Sequence, residues 1–239
     1  MSPRIKYVAE LRHVREVSLL GTANLAFWKD RLKQENLFPA ETDGKAQILI
    51  LGADSKFLGV KFRELSFSVL VCRQAGKTHS DGAFLAHALS SCRLFAFFER
   101  ALFSTPYYHG DCRVSASFPA SIQLIKDGGA VFSASMQAGP SAPKREAAHR
   151  GEEGWEGCIF LPTKERGKES QGNLFFARVQ GLTQTYPFLD STDTVTIKPS
   201  DDIEILRLLI ESEFAGKEWT IREDATHAKS KTYKRSDVF

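Results

Sequence analysis

The sequence has no hydrophobic run long enough to cross a membrane. Its first residues, MSPRIKYVAELRHV, carry a charge every few positions and no apolar segment of the kind found in a secretory signal. No later window reaches the roughly 20 apolar residues that a bilayer-spanning helix requires. We therefore expect a soluble, cytoplasmic protein that has no membrane partner.

Cysteine is scarce and widely spaced. The four cysteines lie twenty or more residues apart, without a Cys-x-x-Cys pair, at Cys72, Cys92, Cys112 and Cys158. This spacing argues against a zinc motif or a disulfide scaffold and predicts reduced, buried thiols. The six histidines are scattered as well. We expect no metal ion and no other cofactor.

A strong excess of one charge is also missing. The formal net charge is only +3 over 239 residues, which argues against a nucleic-acid partner. Basic residues do gather near the C-terminus, at Lys229, Lys231, Lys234 and Arg235. They allow an anionic partner, but a solvated terminus is the interpretation we prefer.

The familiar catalytic signatures are absent. The sequence contains no Walker loop, no glycine-rich dinucleotide fingerprint, no Gly-x-Ser-x-Gly elbow and no His-Glu-x-x-His motif. Motifs alone therefore name no reaction.

Alternating patterns predict most of the fold. Residues 46–53 and 57–73 form two extended runs, and the second alternates Glu64, Ser66 and Ser68 with Leu65, Phe67 and Val69. Lys-Asp-Gly-Gly at 126–129 indicates a hairpin. Further strands are predicted at 82–91, 155–163, 173–181 and 193–199, and polar surface loops at 139–154 and 164–172.

Three helices interrupt these strands. Thr22 is the predicted cap of the first, and Ser90 or Ser91 that of the second. The second helix has an apolar stripe that we expect to be buried, formed by Leu94, Phe95, Phe98 and Leu102. The third helix follows residue 202 and has apolar residues at helical spacing, Ile203, Leu206, Leu209 and Ile210. We predict one domain over 1–239 that is mainly β with a few helices (α+β), ending in a polar tail from about residue 223.

Glu64 is the first candidate for chemistry. It shares a strand face with Phe62 and Ser66, so that face is either exposed or directs a carboxylate into the interior. Burial would raise the pKa of the carboxyl and suit it to acid or base catalysis. The alternative is an exposed residue, or one paired with Arg63 or Arg73, and composition alone favours that alternative.

The segment ERALFSTPYYHGD, residues 99–111, is the second candidate. Pro106 fixes the backbone after a helix, and the consecutive Tyr107 and Tyr108 point opposite ways in an extended chain. One hydroxyl can then face a cavity, and His109 can pair with Asp111. The alternative is that the tyrosines fill the edge of the core and the histidine is merely polar.

The order of these parts resembles the acetoacetate decarboxylase-like superfamily over roughly residues 15–135. In that family a strand bears a glutamate before an alternating apolar run, here KFRELSFSVLV. A strand, a short helix and an Arg-Glu-x-x-x-(Phe/Tyr)-Pro-Lys-Lys motif follow some forty residues later. ERALFSTPYY occupies that place, with Arg100 and Pro106 matching the arginine and proline of the motif.

The resemblance implies a fold and a pocket but not the usual reaction. The lysine that forms a Schiff base in the decarboxylases, and the lysine after it, are replaced by Tyr107 and Tyr108, and a phenol cannot form an imine. The family's arginine near the first strand falls close to Gly21. The resemblance implies a cone-shaped β-barrel, assembled as a homo-oligomer, that encloses a small-molecule pocket. Its predicted catalytic residues are Glu64, Tyr107 and Tyr108, and its ligand-binding residues are Arg100, His109, Phe62 and Phe103.

Two main hypotheses follow. In one, the protein binds a small keto, carboxylate or aromatic metabolite, with Arg100 as the anion partner. In the other, it is a lyase-like or isomerase-like enzyme in which Glu64 moves a proton while Tyr107 or Tyr108 polarises a carbonyl or enolate oxygen, without an imine. A structural or nucleic-acid-associated role rests on the basic tail and the charged loops alone. The sequence favours the pocket and leaves catalysis open.

Overall fold

The computed structural model describes residues 5–137, 149–163 and 172–239. Of the two predicted surface loops, residues 139–148 and 164–171 lie outside these ranges, whereas residues 149–154 belong to a strand.

Strands dominate the described chain. In chain order the elements are β1 Tyr7–Asn24, α1 Leu25–Leu32, β2 Phe38–Pro39, β3 Glu41–Thr42, β4 Lys45–Phe57, β5 Val60–Cys72, β6 Gly82–Ser90, α2 Arg93–Phe103, β7 Tyr107–His109, β8 Asp111–Ser115, β9 Ser121–Lys126, β10 Gly129–Ser135, β11 His149–Phe160, β12 Asn173–Pro187, β13 Thr194–Ile197, α3 Glu204–Glu211, β14 Ala215–Ser230 and β15 Tyr233–Lys234. None of the helices in the described ranges is long and apolar enough to span a bilayer. The prediction of a mainly β fold with a few helices is confirmed.

Seven long strands pair in an order that closes on itself. The order is β5, β4, β1, β14, β12, β11 and β6, and β6 pairs again with β5. Every pairing in this ring is antiparallel except that of β11 with β6. Closure leaves these strands no free edge and gives the sheet an inner and an outer face. The predicted barrel requires this pairing.

The main apolar core lies on the outer face of the ring. A second sheet, in the order β13, β10, β9, β8, packs there together with α1 and α3. Trp28, Phe67, Phe132 and Trp219 are each at most 2% exposed in this core. Fully burying an apolar side chain of this kind contributes about 1.5–3 kcal/mol relative to leaving it in water.

Strand β5 shows how one sequence serves both faces. Leu65, Phe67 and Val69 belong to the apolar core. Because successive side chains on a strand point to opposite faces, Glu64, Ser66 and Ser68 face the inside of the ring. The predicted strands 46–53 and 57–73 are confirmed as β4 and β5, which join through a turn at Leu58 and Gly59 with φ of 47° and 86°.

Several other local predictions are confirmed. The hairpin at 126–129 joins β9 to β10, with positive φ at Asp127 and Gly128. The strands predicted at 82–91, 155–163, 173–181 and 193–199 correspond to parts of β6, β11, β12 and β13, and the third helix is α3. The four cysteines are free thiols, three of them buried.

The predicted polar tail from residue 223 is wrong. Residues 215–230 form β14, a 16-residue strand between β1 and β12 near the centre of the large sheet. The segment resembles a solvated terminus in sequence, because one of its sides faces a polar interior and it therefore lacks a sustained apolar alternation. Lys229 lies at the ring and Arg235 pairs with Glu35 at 3.1 Å, so neither is a free surface cation.

The predicted burial of the α2 stripe is also wrong. Leu94, Phe98 and Leu102 are 57%, 42% and 69% exposed. The helix instead turns Phe95 towards Phe62, with ring centroids 4.6 Å apart, and Glu99 towards Lys229 on β14. Helix α2 therefore lies across one end of the ring, with its polar Glu99 directed inward.

The helix caps differ by one or two residues from those predicted. Asn24, not Thr22, caps α1 by accepting a hydrogen bond from the Phe27 N–H at 3.0 Å. Cys92 occupies the cap position of α2 and makes no side-chain capping bond, whereas Ser90 and Ser91 lie just before it.

Candidate functional site

A row of directly paired residues crosses five strands of the ring. It consists of Arg222 on β14, Glu16 on β1, Ala53 on β4, Glu64 on β5 and Ser90 on β6. Residues directly opposite on antiparallel strands share a face, so both glutamates point into the ring. One intervening strand separates them, which places their backbones about 10 Å apart.

Glu16 is the buried anion of this row. Only 1% of its side-chain surface is exposed, and its two carboxylate oxygens lie 2.5 Å from Arg222 Nη1 and 2.6 Å from His227 Nε2. Burial acts to raise the pKa of Glu16, but the contacts with His227 and Arg222 outweigh it and hold the pKa below its usual value. Glu16 therefore stays ionised and anchors the Arg222 and His227 side chains of β14.

Glu64 has the opposite electrostatic character. Burial, followed by the negative charge of Glu99, raises its pKa from 4.5 to about 7, against the opposing effects of Lys229, His227 and the Tyr107 hydroxyl. The carboxyl thus exchanges a proton near neutral pH. The residue as a whole is half-buried.

Tyr107 approaches Glu64 from β7. Its hydroxyl lies 3.5 Å from Glu64 Oε2, which is long for a hydrogen bond and leaves the hydroxyl able to donate to another oxygen. Burial and the charges of Glu64 and Glu99 raise the pKa of Tyr107 well above its usual value. The phenol therefore remains a proton-bearing donor throughout the neutral range.

The backbone around Tyr107 explains its orientation. Helix α2 ends at Phe103, and the next residue, Ser104, adopts a left-handed φ of 58°. The chain then becomes extended and is tied to β6, where the Ala88 N–H donates to the Pro106 carbonyl at 3.0 Å and the Gly110 N–H donates to the Ser90 carbonyl at 3.1 Å. These bonds hold Tyr107 against the end of the ring.

A cation completes the cluster. Lys229 Nζ on β14 pairs with Glu99 Oε2, which also accepts a hydrogen bond from Thr105 Oγ1 at 2.8 Å. The ammonium lies 4.4 Å and 4.6 Å from the ring centroids of Phe103 and Phe175. The side chains of Lys229 and Glu99 are 18% and 21% exposed. The ion pair is therefore partly desolvated but not sealed from small molecules.

The structure brings together some of the predicted site residues. Glu64 and Tyr107 are neighbours, Phe103 lies under Lys229, and Phe62 shares the inner face of β5 with Glu64. Together with Glu99 and Lys229, these four residues form what we call the Glu64 cluster.

The other predicted residues lie outside it. Tyr108 is 45% exposed, stacks on His87 with centroids 4.9 Å apart, and has Arg100 at 5.4 Å. Arg100 and His109 are exposed as well. The predicted catalytic residue Tyr108 and the predicted ligand-binding residues Arg100 and His109 are therefore not among the residues that the structure gathers around Glu64. Adjacent residues on a strand face opposite ways, so Tyr108 points away from Tyr107, and Arg100 is exposed on α2.

Five residues at or near the cluster were not among the predicted site residues: Glu16, Glu99, Arg222, His227 and Lys229. Gly21, near which an arginine was expected, cannot carry a side chain, because a Cβ there would lie 2.4 Å from the Ala215 carbonyl oxygen. The cations come instead from β14. The spacing of His227 and Lys229, two apart on one strand face, was the available signal.

The described part of the chain holds no group of three His, Cys, Asp or Glu side chains placed to bind a metal ion.

Sequence comparisons identify no relative. No protein-family model matches the chain, and no curated protein matches it.

Solved structures do match over nearly the whole chain. The chain is similar to acetoacetate decarboxylase, with a TM-score of 0.64 and 13% identity over 98% of this chain and 90% of the other. It is similar to an acetoacetate decarboxylase-like enzyme from Sphingomonas wittichii RW1, with a TM-score of 0.59 and 11% identity over 96% and 94%. The enduracididine biosynthesis enzyme MppR, complexed with the condensation product of pyruvate and imidazole 4-carboxaldehyde, gives a TM-score of 0.61 and 10% identity over 98% and 92%. The predicted fold is confirmed.

Proposed function

We propose that this chain, which has the acetoacetate decarboxylase-like fold, is an enzyme that moves a proton to or from the carbon next to the carbonyl of a small keto acid or ketone. The observation that carries the proposal is the Glu64 carboxyl, whose pKa is raised to about 7 on the inner face of the ring and which lies 3.5 Å from the Tyr107 hydroxyl. A carboxyl with such a pKa is present in both protonation states at neutral pH, as a general acid–base requires.

Glu64 is the proton acceptor in this proposal. Its carboxylate removes a proton from the substrate carbon, and the electron pair of the broken C–H bond moves onto the carbonyl oxygen to give an enolate. Return of the proton to the same or another carbon of the enolate regenerates the Glu64 carboxylate. The net reaction is isomerisation or exchange, and no electron leaves the substrate.

Tyr107 stabilises the enolate oxygen. Its hydroxyl is a donor at neutral pH and is only weakly engaged by Glu64 at 3.5 Å. A donor held in place before the reaction stabilises developing oxygen charge without reorganising. Lys229 adds a positive charge beside the same cluster. The Tyr107 hydroxyl and the Lys229 ammonium thus stabilise the negative charge of the enolate without a covalent imine.

The proposed substrates are small and anionic or strongly polarised. Lys229, between two aromatic rings, suits a carboxylate or an enolate, and the Phe62 and Phe103 rings suit short apolar groups. MppR, which shares the fold, has been obtained with pyruvate bound. We therefore take pyruvate as the first probe.

The proposal is tested by hydrogen exchange at carbon. The protein is incubated in D₂O with pyruvate and then with a panel of other 2-oxo acids and methyl ketones, and deuterium incorporation is followed by proton NMR. We expect at least one compound to exchange faster than in buffer with heat-denatured protein. A compound that stabilises the protein against heat but never exchanges would contradict the enzymatic proposal and favour the binding protein.

Tyr107→Phe should reduce this exchange by about 10²-fold, because loss of one donor to a developing oxyanion typically costs that much. The fold should be retained, since among the described residues the hydroxyl makes one hydrogen bond, and that bond is long. Tyr108→Phe is the matched control, because its ring lies outside the cluster. Equal exchange rates in both variants would remove Tyr107 from the mechanism.

A further inference from the structure

A second charged feature adjoins the Glu64 cluster at Phe62, beside the hairpin of β4 and β5. It is an open cleft of about 310 Å³, lined by His13, Arg15, Asp54, Ser55, Lys56, Lys61, Phe62, Arg63 and Ser91. We call it the basic cleft. Four of its side chains are permanently cationic and one is a carboxylate, a local excess as large as that of the entire chain.

Strand register places these charges on one face. Arg15, Asp54 and Arg63 are directly paired across β1, β4 and β5. Lys56 and Lys61 are paired with each other two residues further along the hairpin. Residues two apart on a strand share a face, so all five groups project from the same side. Glu16 and Glu64 follow Arg15 and Arg63 directly in the sequence, so their side chains point to the opposite face of the sheet.

The opposed lysines are the informative pair. Like charges directly opposite on antiparallel strands are destabilising. Within the described residues neither Lys56 nor Lys61 has a carboxylate in ion-pair contact, and the only acid of the cleft, Asp54, lies 3.9 Å from Arg63. The hairpin thus holds two cations together, and no carboxylate of the described residues is placed to neutralise them.

The remaining walls supply hydrogen-bonding groups. Ser91 Oγ accepts the Arg63 N–H at 2.8 Å, which fixes the hydroxyl and leaves its hydrogen available. Arg15 Nη2 donates to Ser117 Oγ at the long distance of 3.4 Å, and its other guanidinium hydrogens have no hydrogen-bond acceptor within the described ranges. His13 lies 3.0 Å from Asp224 and closes the far side.

We infer that the basic cleft binds a small anion with two or more negative charges, of the kind presented by a diphosphate or triphosphate group or a tricarboxylate. Such an anion neutralises the opposed lysines and receives guanidinium donors from Arg15 and Arg63 in the geometry that phosphates and carboxylates accept. The volume lies at the lower end of the range for small-molecule pockets, which fits a compact anion rather than a nucleic-acid strand. This inference is independent of the proposed proton transfer.

The test is calorimetric titration of the full chain with pyrophosphate, tripolyphosphate, citrate and a 20-nucleotide single strand, at about 50 mM salt to limit screening. Pyrophosphate, tripolyphosphate or citrate should bind with a dissociation constant of about 1 mM or below. In Lys56→Gln/Lys61→Gln the affinity should fall by about tenfold or more, since two charge-assisted contacts are lost. The control Lys33→Gln/Lys45→Gln removes the same charge from exposed positions elsewhere and should bind as the wild type does.

Thermal unfolding without added anion gives a second readout. Because the opposed lysines repel, Lys56→Gln/Lys61→Gln should melt at a higher temperature than the wild type, so loss of binding cannot be ascribed to misfolding. The inference is overturned if none of the three small anions binds at about 10 mM. It is also overturned if both double variants bind equally, which indicates diffuse attraction, or if only the oligonucleotide binds.

Discussion

Replacing Glu64 with glutamine should lower deuterium incorporation by at least about 10²-fold and at the same time stabilise the folded protein above pH 7. Activity falls because the amide cannot accept the proton. Stability rises because the wild type must hold an ionised carboxylate in a site that favours the neutral form. A residue that weakens the fold but supports turnover indicates function rather than architecture.

The direction of the stability change follows from proton linkage. The pKa of Glu64 is about 7 in the folded state and 4.5 ordinarily, so between these values the folded chain binds the proton and the unfolded chain does not. The free energy of unfolding therefore decreases as the pH rises from about 4.5 to 7. The full difference corresponds to roughly 3 kcal/mol, and Glu64→Gln should remove it.

Urea unfolding of wild type and Glu64→Gln at pH 4.5 and pH 8 measures this effect. The variant should gain stability over the wild type mainly at pH 8. Glu223→Gln, which changes an exposed glutamate on β14, is the control and should show neither the pH-dependent gain nor the loss of exchange. If Glu64→Gln unfolds more readily than the wild type at pH 8, the Glu64 carboxylate is a stabilising partner and its assignment is wrong.

Lys229→Met should produce the second large effect. Removing one member of a partly buried ion pair leaves Glu99 uncompensated, which should destabilise the protein by about 3 kcal/mol. The loss of the positive charge should also raise the pKa of Glu64 beyond 7, because Lys229 is among the groups that lower it. Any exchange that survives should reach half its maximum at a higher pH than in the wild type.

A double-mutant cycle separates these two roles of Lys229. Lys229→Met/Glu99→Gln should recover most of the lost stability, because the unpaired carboxylate is then also removed. It should also bring the half-maximal pH of exchange back down, since Glu99 raises the pKa of Glu64. Lys231→Met, at an exposed neighbouring position, is the control. A half-maximal pH that is the same in wild type and Lys229→Met would contradict the proposed electrostatic coupling.

Sequence patterns predicted the parts of the fold that obey a single periodicity. The local sequence is enough to predict strands that have an apolar face, such as β4 and β5. It is also enough to predict the Asp-Gly turn at 127–128. The local sequence does not predict strand β14. Its inward side chains face the polar interior of the ring, and its outward side chains pack in a core that exists only once the sheets are assembled. Polar strands inside a ring resemble solvated chain when viewed alone.

The candidate site shows the same division. Glu64 and Tyr107 could be predicted because each stands in a regular extended run whose alternation fixes its direction. The exposure of the α2 apolar stripe could not be predicted, because the stripe does not reveal that the helix spans the end of a ring and directs Glu99 inward. The Lys229–Glu99 pair joins residues 130 apart, so its formation depends on strand order that no local pattern contains.

The central claim is that the interior of this ring tunes Glu64 to exchange protons near neutral pH, and a carbon-13 NMR titration of its side-chain carboxyl tests it without a substrate. Glu64→Gln identifies the resonance. We predict a single titration with a midpoint near pH 7. A midpoint near 4.5, the ordinary value for glutamate, would contradict the claim.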